Sequence, residues 1–295
     1  MTPRPAGRAA ILLPLAAVVT AMAAFQVSAA FAKSLFPVMG PQGAAALRLT
    51  LGAFMLLAIS RPWRAWPKDA PWLAVAGLGV SVAAAVGFFY AAISRMPLGV
   101  AIALQFVGPL SVAVFGSRRI RDLVWAVLAA AGVWALVGHG AAGAKFDGVG
   151  VAYALGAAAG WAGYILCGRV AGGALGQSAA PLSVSIAAAI MLPIGVAHAG
   201  AALITPALLP LAAMVALFSA VIPFSLELYA MARMPSRTFA VFTSLEPAFG
   251  ALSGWVLLHE RLALAQMGGI AAVIAAAVGA AWSSAQTTRP LPTPE

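Results

Sequence analysis

The stretch Arg95-Met96-Pro97-Leu98-Gly99-Val100-Ala101-Ile102-Ala103-Leu104-Gln105-Phe106-Val107-Gly108-Pro109 decides the fold, because its landmarks come back further along the chain. At a constant offset of 138, Arg95-Met96-Pro97 returns as Arg233-Met234-Pro235 and Pro109 as Pro247. The same offset sets Gly116 on Gly254 and Asp122 on Glu260, and Tyr90 precedes the first motif as Tyr229 precedes the second, one residue out of step. Chance can supply one tripeptide, but further landmarks in or near register mark an internal duplication.

Composition says what has been duplicated. Of 295 residues, 63% are hydrophobic and 8% charged, and mean hydropathy is +1.00. A soluble domain is roughly a quarter charged, so 24 charged side chains cannot clothe a soluble surface of this size. This excludes a soluble enzyme and a nucleic-acid binder, although the net charge is +10. A bilayer crossing takes roughly 20 apolar residues. Apolar runs stand at about 9–32, 43–60, 70–93, 98–116, 123–139, 148–168, 180–199, 208–230, 238–258 and 262–283. They predict an all-α integral membrane protein of ten transmembrane helices in the lipid bilayer. Helices 1–5 form a first repeat over 9–139 and helices 6–10 a second over 148–283, leaving a disordered tail at 284–295. Arg4 and Arg8 before the first apolar run resemble the start of a signal peptide, but the run is long enough to span and is expected to stay as helix 1.

Five spans per repeat is an odd number, so the second repeat enters from the opposite face. That inverted arrangement is common in secondary transporters. Twelve Lys and Arg residues fall in segments on the side of the N-terminus, and four (Lys33, Arg95, Lys145 and Arg261) on the other. Positive charge stays inside, so both termini are expected in the cytoplasm. Many spans are rich in Ala and Gly, which lets helix backbones approach closely where lipid supplies no hydrophobic drive.

Pro109 and Pro247 are matched helix breaks. A proline inside a helix cannot bond the carbonyl four residues back, which frees the carbonyls of Gln105 and Thr243. Matched interruptions in two halves point to a midplane site, so both prolines are read as cavity-lining.

Polar residues inside spans are costly and need a partner or a role. Glu246, with Thr243 on its face, would engage a substrate ammonium or carry a proton; alternatively it is protonated and bonded to a neighbouring helix. Arg48 could hold a substrate carboxylate, pair with an internal acid, or snorkel outward, since it lies only five residues from the apparent start of helix 2. Glu227 either joins the coupling chemistry or reaches water at its helix end. Gln26 is expected to face inward. Trp161 and Tyr164, three apart on one helical face, would wall a cavity or simply pack. Tyr90 would line the cavity or anchor at the interface, and Lys33 reads as a loop charge. Gln26, Tyr90, Gln105, Trp161, Tyr164, Thr243 and Glu246 are therefore the substrate-binding candidates, with Glu246, Glu227 and Arg48 as coupling candidates. Cys167 sits alone in an apolar run, the three histidines lack metal-ligand spacing, and no cofactor or nucleotide motif is present. No catalytic constellation appears, so gradients must drive any movement.

Several blocks carry a family resemblance: Ala32-Lys33-Ser34-Leu35-Phe36-Pro37, Pro97 through Leu104, Gly108-Pro109-Leu110, Trp161 through Leu166, Ser244 through Ala248 and Ala251 through Gly254. Over about 9–283 the chain resembles the EamA-type exporters of the drug/metabolite transporter superfamily, most closely those that export threonine and homoserine across the inner membrane. The resemblance implies export of small amino acids from the cytoplasm, with proton entry as the driving reaction and a cavity between the halves. Members of that group commonly carry Glu at the position of Gln105, which leaves Glu246 as the main coupling candidate. Two alternatives remain at this level: the same fold carrying another metabolite, an aromatic amino acid, a nucleoside or a drug, and a channel, scramblase or passive membrane subunit.

Overall fold

A computed structural model describes residues 8–65, 70–116, 123–138, 147–231 and 242–287, together with 233 and 239. The expectations placed on Arg4, Trp66, Lys68, Arg118, Arg119, Arg121, Asp122, Lys145, Met234, Pro235, Arg237, Arg289 and residues 288–295 lie outside the described residues. Within them the chain is helical throughout, with no strand. In hydrocarbon a helix satisfies its own backbone, which no open strand can do.

The helices are α1 (Arg8–Lys33), α2 (Phe36–Ser60), α3 (Trp72–Ile93), α4 (Leu98–Gln105), α5 (Val107–Gly116) and α6 (Leu123–Gly138). They are followed by α7 (Gly148–Leu175), α8 (Ala179–Ala199), α9 (Leu209–Ala216), α10 (Ile222–Met231), α11 (Glu246–Leu258) and α12 (Leu264–Thr287). Six described segments are long and apolar enough to cross a membrane, beginning at Leu12, Phe36, Trp72, Gly148, Ala179 and Pro206, and shorter apolar helices accompany them. The outer surface agrees: Leu73, Phe115 and Leu264 are each more than 80% exposed. Large bare apolar side chains of this kind suit lipid and not water.

Three boundaries differ from those read off the sequence, one of them at α12, which stays helical to Thr287 where a disordered tail from 284 was expected. α2 starts at Phe36 and not at 43, because Gly40 takes φ 67° at a kink and the helix resumes through Pro41. Glycine pays no Cβ penalty there, and proline is tolerated in a first helical turn. α7 runs on to Leu175 and carries Arg169 within the helix.

Packing is built from close backbone approaches. A Cβ on Gly160 of α7 would stand 2.5 Å from the backbone nitrogen of Ala85 in α3, so this crossing tolerates little beyond glycine. α3 packs on α7 and α8, α2 on α8 and α9, and α1 on α10 and α11. α4 packs on α11 and α7, α5 on α7, and α6 on α12. At one end the Lys33 Nζ, closing α1, lies 2.6 Å from Glu260 Oε1, so Lys33 is no bare loop charge. Glu260 Oε2 also accepts a 2.7 Å bond from the Leu98 N–H at the start of α4, which satisfies an orphan donor of that helix.

Candidate functional site

Both helix breaks lie just before the prolines. α4 stops at Gln105, Phe106 forms a turn, and Pro109 is the third residue of α5. Ser244 and Leu245 form the matching turn, and Pro247 is the second residue of α11. Each proline thus occupies a first turn, where its missing N–H costs least.

The interruptions converge on one cavity of about 250 Å³. α4 and α5 contribute Gln105, Phe106 and Pro109, and α7 contributes Trp161, Tyr164 and Ile165. Phe25 comes from α1, Pro223 and Glu227 from α10, and Phe239, Thr243 and Glu246 from the second interrupted segment. Ser219 completes the wall from a π-helical turn, Leu217–Val221, between α9 and α10. Such bulges occur frequently at functional sites.

The walls are ordered by specific contacts. Trp161 Nε1 donates to Gln105 Oε1 at 3.1 Å, and the Trp161 and Tyr164 rings meet edge to face at 5.3 Å. Thr243 donates from its hydroxyl to the Phe239 carbonyl at 3.2 Å. The cavity therefore offers a neutral amide, aromatic faces and two carboxyl side chains to one small guest.

Of the residues singled out from sequence, Gln105, Pro109, Trp161, Tyr164, Glu227, Thr243 and Glu246 stand together around this cavity. Pro247, buried at the start of α11, does not line it, nor do Gln26 and Tyr90. Gln26 is fully buried, and neither its amide nor the Tyr90 hydroxyl has a hydrogen-bond partner among the described residues. Arg48 borders a smaller cavity of about 40 Å³ that shares Phe25, Trp161, Tyr164 and Ser219 with the larger one.

Arg48 also departs from the outward-snorkelling alternative. With α2 beginning at Phe36 it lies twelve residues from either end of the helix, about 18 Å of axis at 1.5 Å per residue. It is buried, and its Nε donates to Ser219 Oγ at 2.7 Å, with a longer 3.5 Å contact to the Ser219 carbonyl. Sequence reasoning missed Ser219 and Phe25. A signal for Ser219 existed: Pro223 withdraws the backbone donor from the carbonyl four residues earlier, which is that of Ser219.

An all-helical membrane bundle enclosing a largely apolar cavity, with a few polar and carboxyl groups at two helix breaks, fits a polytopic transporter. Residues 148–282 match the EamA-like transporter family. The threonine/homoserine exporter RhtA of Escherichia coli strain K12 is 44% identical over 269 residues, 91% of each chain. Its counterpart from Salmonella typhimurium strain LT2 is 43% identical over the same length. The chain belongs to the EamA-like transporter family. A solved crystal structure shares the fold, with a TM-score of 0.58 at 18% identity, covering 93% of this chain and 99% of its own.

Proposed function

We propose that the protein is a secondary-active exporter of small amino acids of the threonine/homoserine kind, placed in the inner membrane with both termini cytoplasmic. It works by alternating access and is coupled to proton entry. The observation that carries this reading is the meeting of two interrupted helices, 138 residues apart in register, at one cavity holding Gln105, Thr243 and Glu246. Relatives 44% identical over 91% of the chain bear the name of exporters of these substrates. The cavity volume falls just below the roughly 300–1,000 Å³ typical of drug-sized pockets, which favours a small metabolite over a drug.

Packing supports ten spans in a five-plus-five inverted repeat. Let α1 correspond to α7, α2 to α8, α3 to α9 with α10, α4 with α5 to the segment ending in α11, and α6 to α12. Then α3 on α7 has its counterpart in α10 on α1, α3 on α8 in α9 on α2, and α4 with α5 on α7 in α11 on α1. The pairs α2–α8, α4–α11 and α6–α12 are repeat mates packed on one another, as mates that straddle a two-fold axis in the membrane plane would be. The family match over 148–282 covers the second repeat as one unit.

In this mechanism Gln105, Thr243, Trp161 and Tyr164 orient the guest. Glu246, assisted by Glu227, meets its ammonium or takes up a proton. The turns before Pro109 and Pro247 give the halves places to bend. Counterflow in proteoliposomes tests it: with unlabelled threonine inside, labelled threonine should enter saturably, and homoserine should block entry while a cationic dye should not. Silence towards threonine, with saturable flux of phenylalanine or another labelled metabolite, would keep the transporter and overturn the substrate.

A further inference from the structure

We propose that Arg48 and the small cavity beside it bind the carboxylate of a zwitterionic α-amino acid, whose ammonium faces Glu227 and Glu246 in the larger cavity. The inference rests on the export reading above and adds the polarity of the bound guest.

Charge inventory leads to it. The chain has seven acidic residues. Glu260 is paired with Lys33 and Asp147 with Arg95, both near helix ends. Asp69, Asp122 and Glu295 fall outside the apolar runs. Glu227 and Glu246 remain, and both line the larger cavity. Against them stands Arg48, which keeps its charge at every accessible pH. It is 7% exposed, and among the described residues no carboxylate lies within ion-pair distance of it.

A buried unpaired cation is among the costlier features a protein can carry. Here it is softened but not neutralised. Ser219 accepts from the guanidinium, and the rings of Phe25 and Tyr90 lie 5.1 and 5.5 Å from its central carbon. These contacts take up only part of a five-donor fork suited to a bidentate carboxylate. The small cavity of about 40 Å³ has Arg48 in its wall. A water needs only about 10–15 Å³ on this measure, so the space admits a carboxylate but no long side chain. Four residues are common to both cavities, so the two adjoin, and the proposal requires one short molecule to reach from one into the other. An ammonium near the acids and a carboxylate near Arg48 would give Arg48 and one of the two acids an opposite charge; an amine or an alcohol would leave Arg48 bare.

The test is labelled-threonine counterflow by the full chain, with threonine or threoninamide as competitor. The amide keeps the ammonium and side chain and lacks the carboxylate. The wild type should prefer threonine by about 10- to 100-fold, the worth of a charged hydrogen-bonded contact. Arg48→Gln should raise the threonine KM by a similar factor and erase the preference, and Arg48→Lys should keep part of it. Should Arg48→Gln fail to assemble, Ala220→Val narrows the small cavity with the guanidinium in place and should also raise the threonine KM. Equal competition by the amide in the wild type overturns the inference alone, as does an unchanged preference in Arg48→Gln or an unchanged KM in Ala220→Val. Absence of wild-type threonine counterflow overturns the substrate reading first, and the inference with it.

Discussion

Gly108 and Glu246 stand 138 residues apart, each immediately before the proline of an interrupted helix, and they do opposite things. At Gly108 the Ala158 backbone of α7 occupies the space a Cβ would need. At Glu246 the same register presents a carboxyl side chain to the cavity. Ser81 and Ser219 show the same contrast. Ser219 holds Arg48 beside Phe25, whereas Ser81 faces Gly163, and Gly79 packs against Ile186. At the 138-residue offset, Phe25 corresponds to Gly163 and Arg48 to Ile186. Where one half carries a charged and aromatic cluster, the other carries small and apolar side chains. Matched register does not bring matched chemistry: the residue before Pro109 is packed on the Ala158 backbone, and the residue before Pro247 bears a titratable group.

The largest expected effect follows from that division. Glu246→Gln should abolish accumulation driven by a pH gradient, by about 100-fold or more in line with the loss of a proton-transferring group, while threonine counterflow persists with a raised threonine KM. Uptake followed with and without an imposed gradient checks this. An unchanged rate with an unchanged pH dependence would remove Glu246 from coupling.

The packed half should answer differently. Gly108→Ala forces α5 away from α7, and overpacking of this sort costs about 1–3 kcal/mol. Thermal unfolding of the purified protein should show a clear drop in midpoint, with a fall in expressed yield. A variant as stable as the wild type would mean that the close approach to Ala158 is not needed to pack α5 on α7.

How much of this is legible in the amino-acid sequence depends on the kind of signal. Apolar runs report the class, and the two prolines report the breaks, because a missing N–H acts wherever it stands. Seven of the singled-out residues converge on the cavity, most of them within a turn or two of those breaks. Gln26 and Tyr90 do not line it, and the reason is general. A helix apolar on every side carries no amphipathic stripe to say which face turns inward. Arg48 reads as a residue near a helix start because Pro37 and Pro41 suggest a later opening of α2, whereas the helix opens with the one and bends at Gly40 to admit the other. Ser219 is hidden by a π turn, which shifts faces out of any regular period, although Pro223 marks it.

A smaller effect probes the aromatic wall. Trp161→Phe keeps a ring against Tyr164 but removes the donor to Gln105. A neutral hydrogen bond is worth about 1 kcal/mol, so the threonine KM should rise about 5-fold with little change in maximal rate. Gln105→Glu sharpens the comparison, because it would give the first break the carboxylate that the second already has. It should alter the pH dependence of transport more than the apparent affinity.

The smallest expected effect contrasts the two arginines of the repeated motif. Arg95 reaches across to Asp147, the residue before α7, with Nη1 to Oδ2 at 3.1 Å. Arg233 instead folds back from the turn after α10, 4.0 Å from the centre of the Tyr229 ring, and donates to the Tyr229 carbonyl at 3.3 Å. The Gly150 N–H, and after it Arg95, hold the Asp147 carboxyl below its ordinary value of 3.8. A lowered folded-state value contributes stability that is present above the unfolded value and is lost as pH falls through the folded one. Acidification from neutral to about pH 3 should therefore loosen the junction of α4 and α7 and leave the Arg233 contact untouched, since that contact contains no acid. Because the Arg95–Asp147 pair is half exposed, the change in unfolding midpoint should be small and should shrink in salt, as it does for surface ion pairs generally. Asp147→Asn should flatten it, and a slope that survives this substitution would assign the acid sensitivity to other carboxylates.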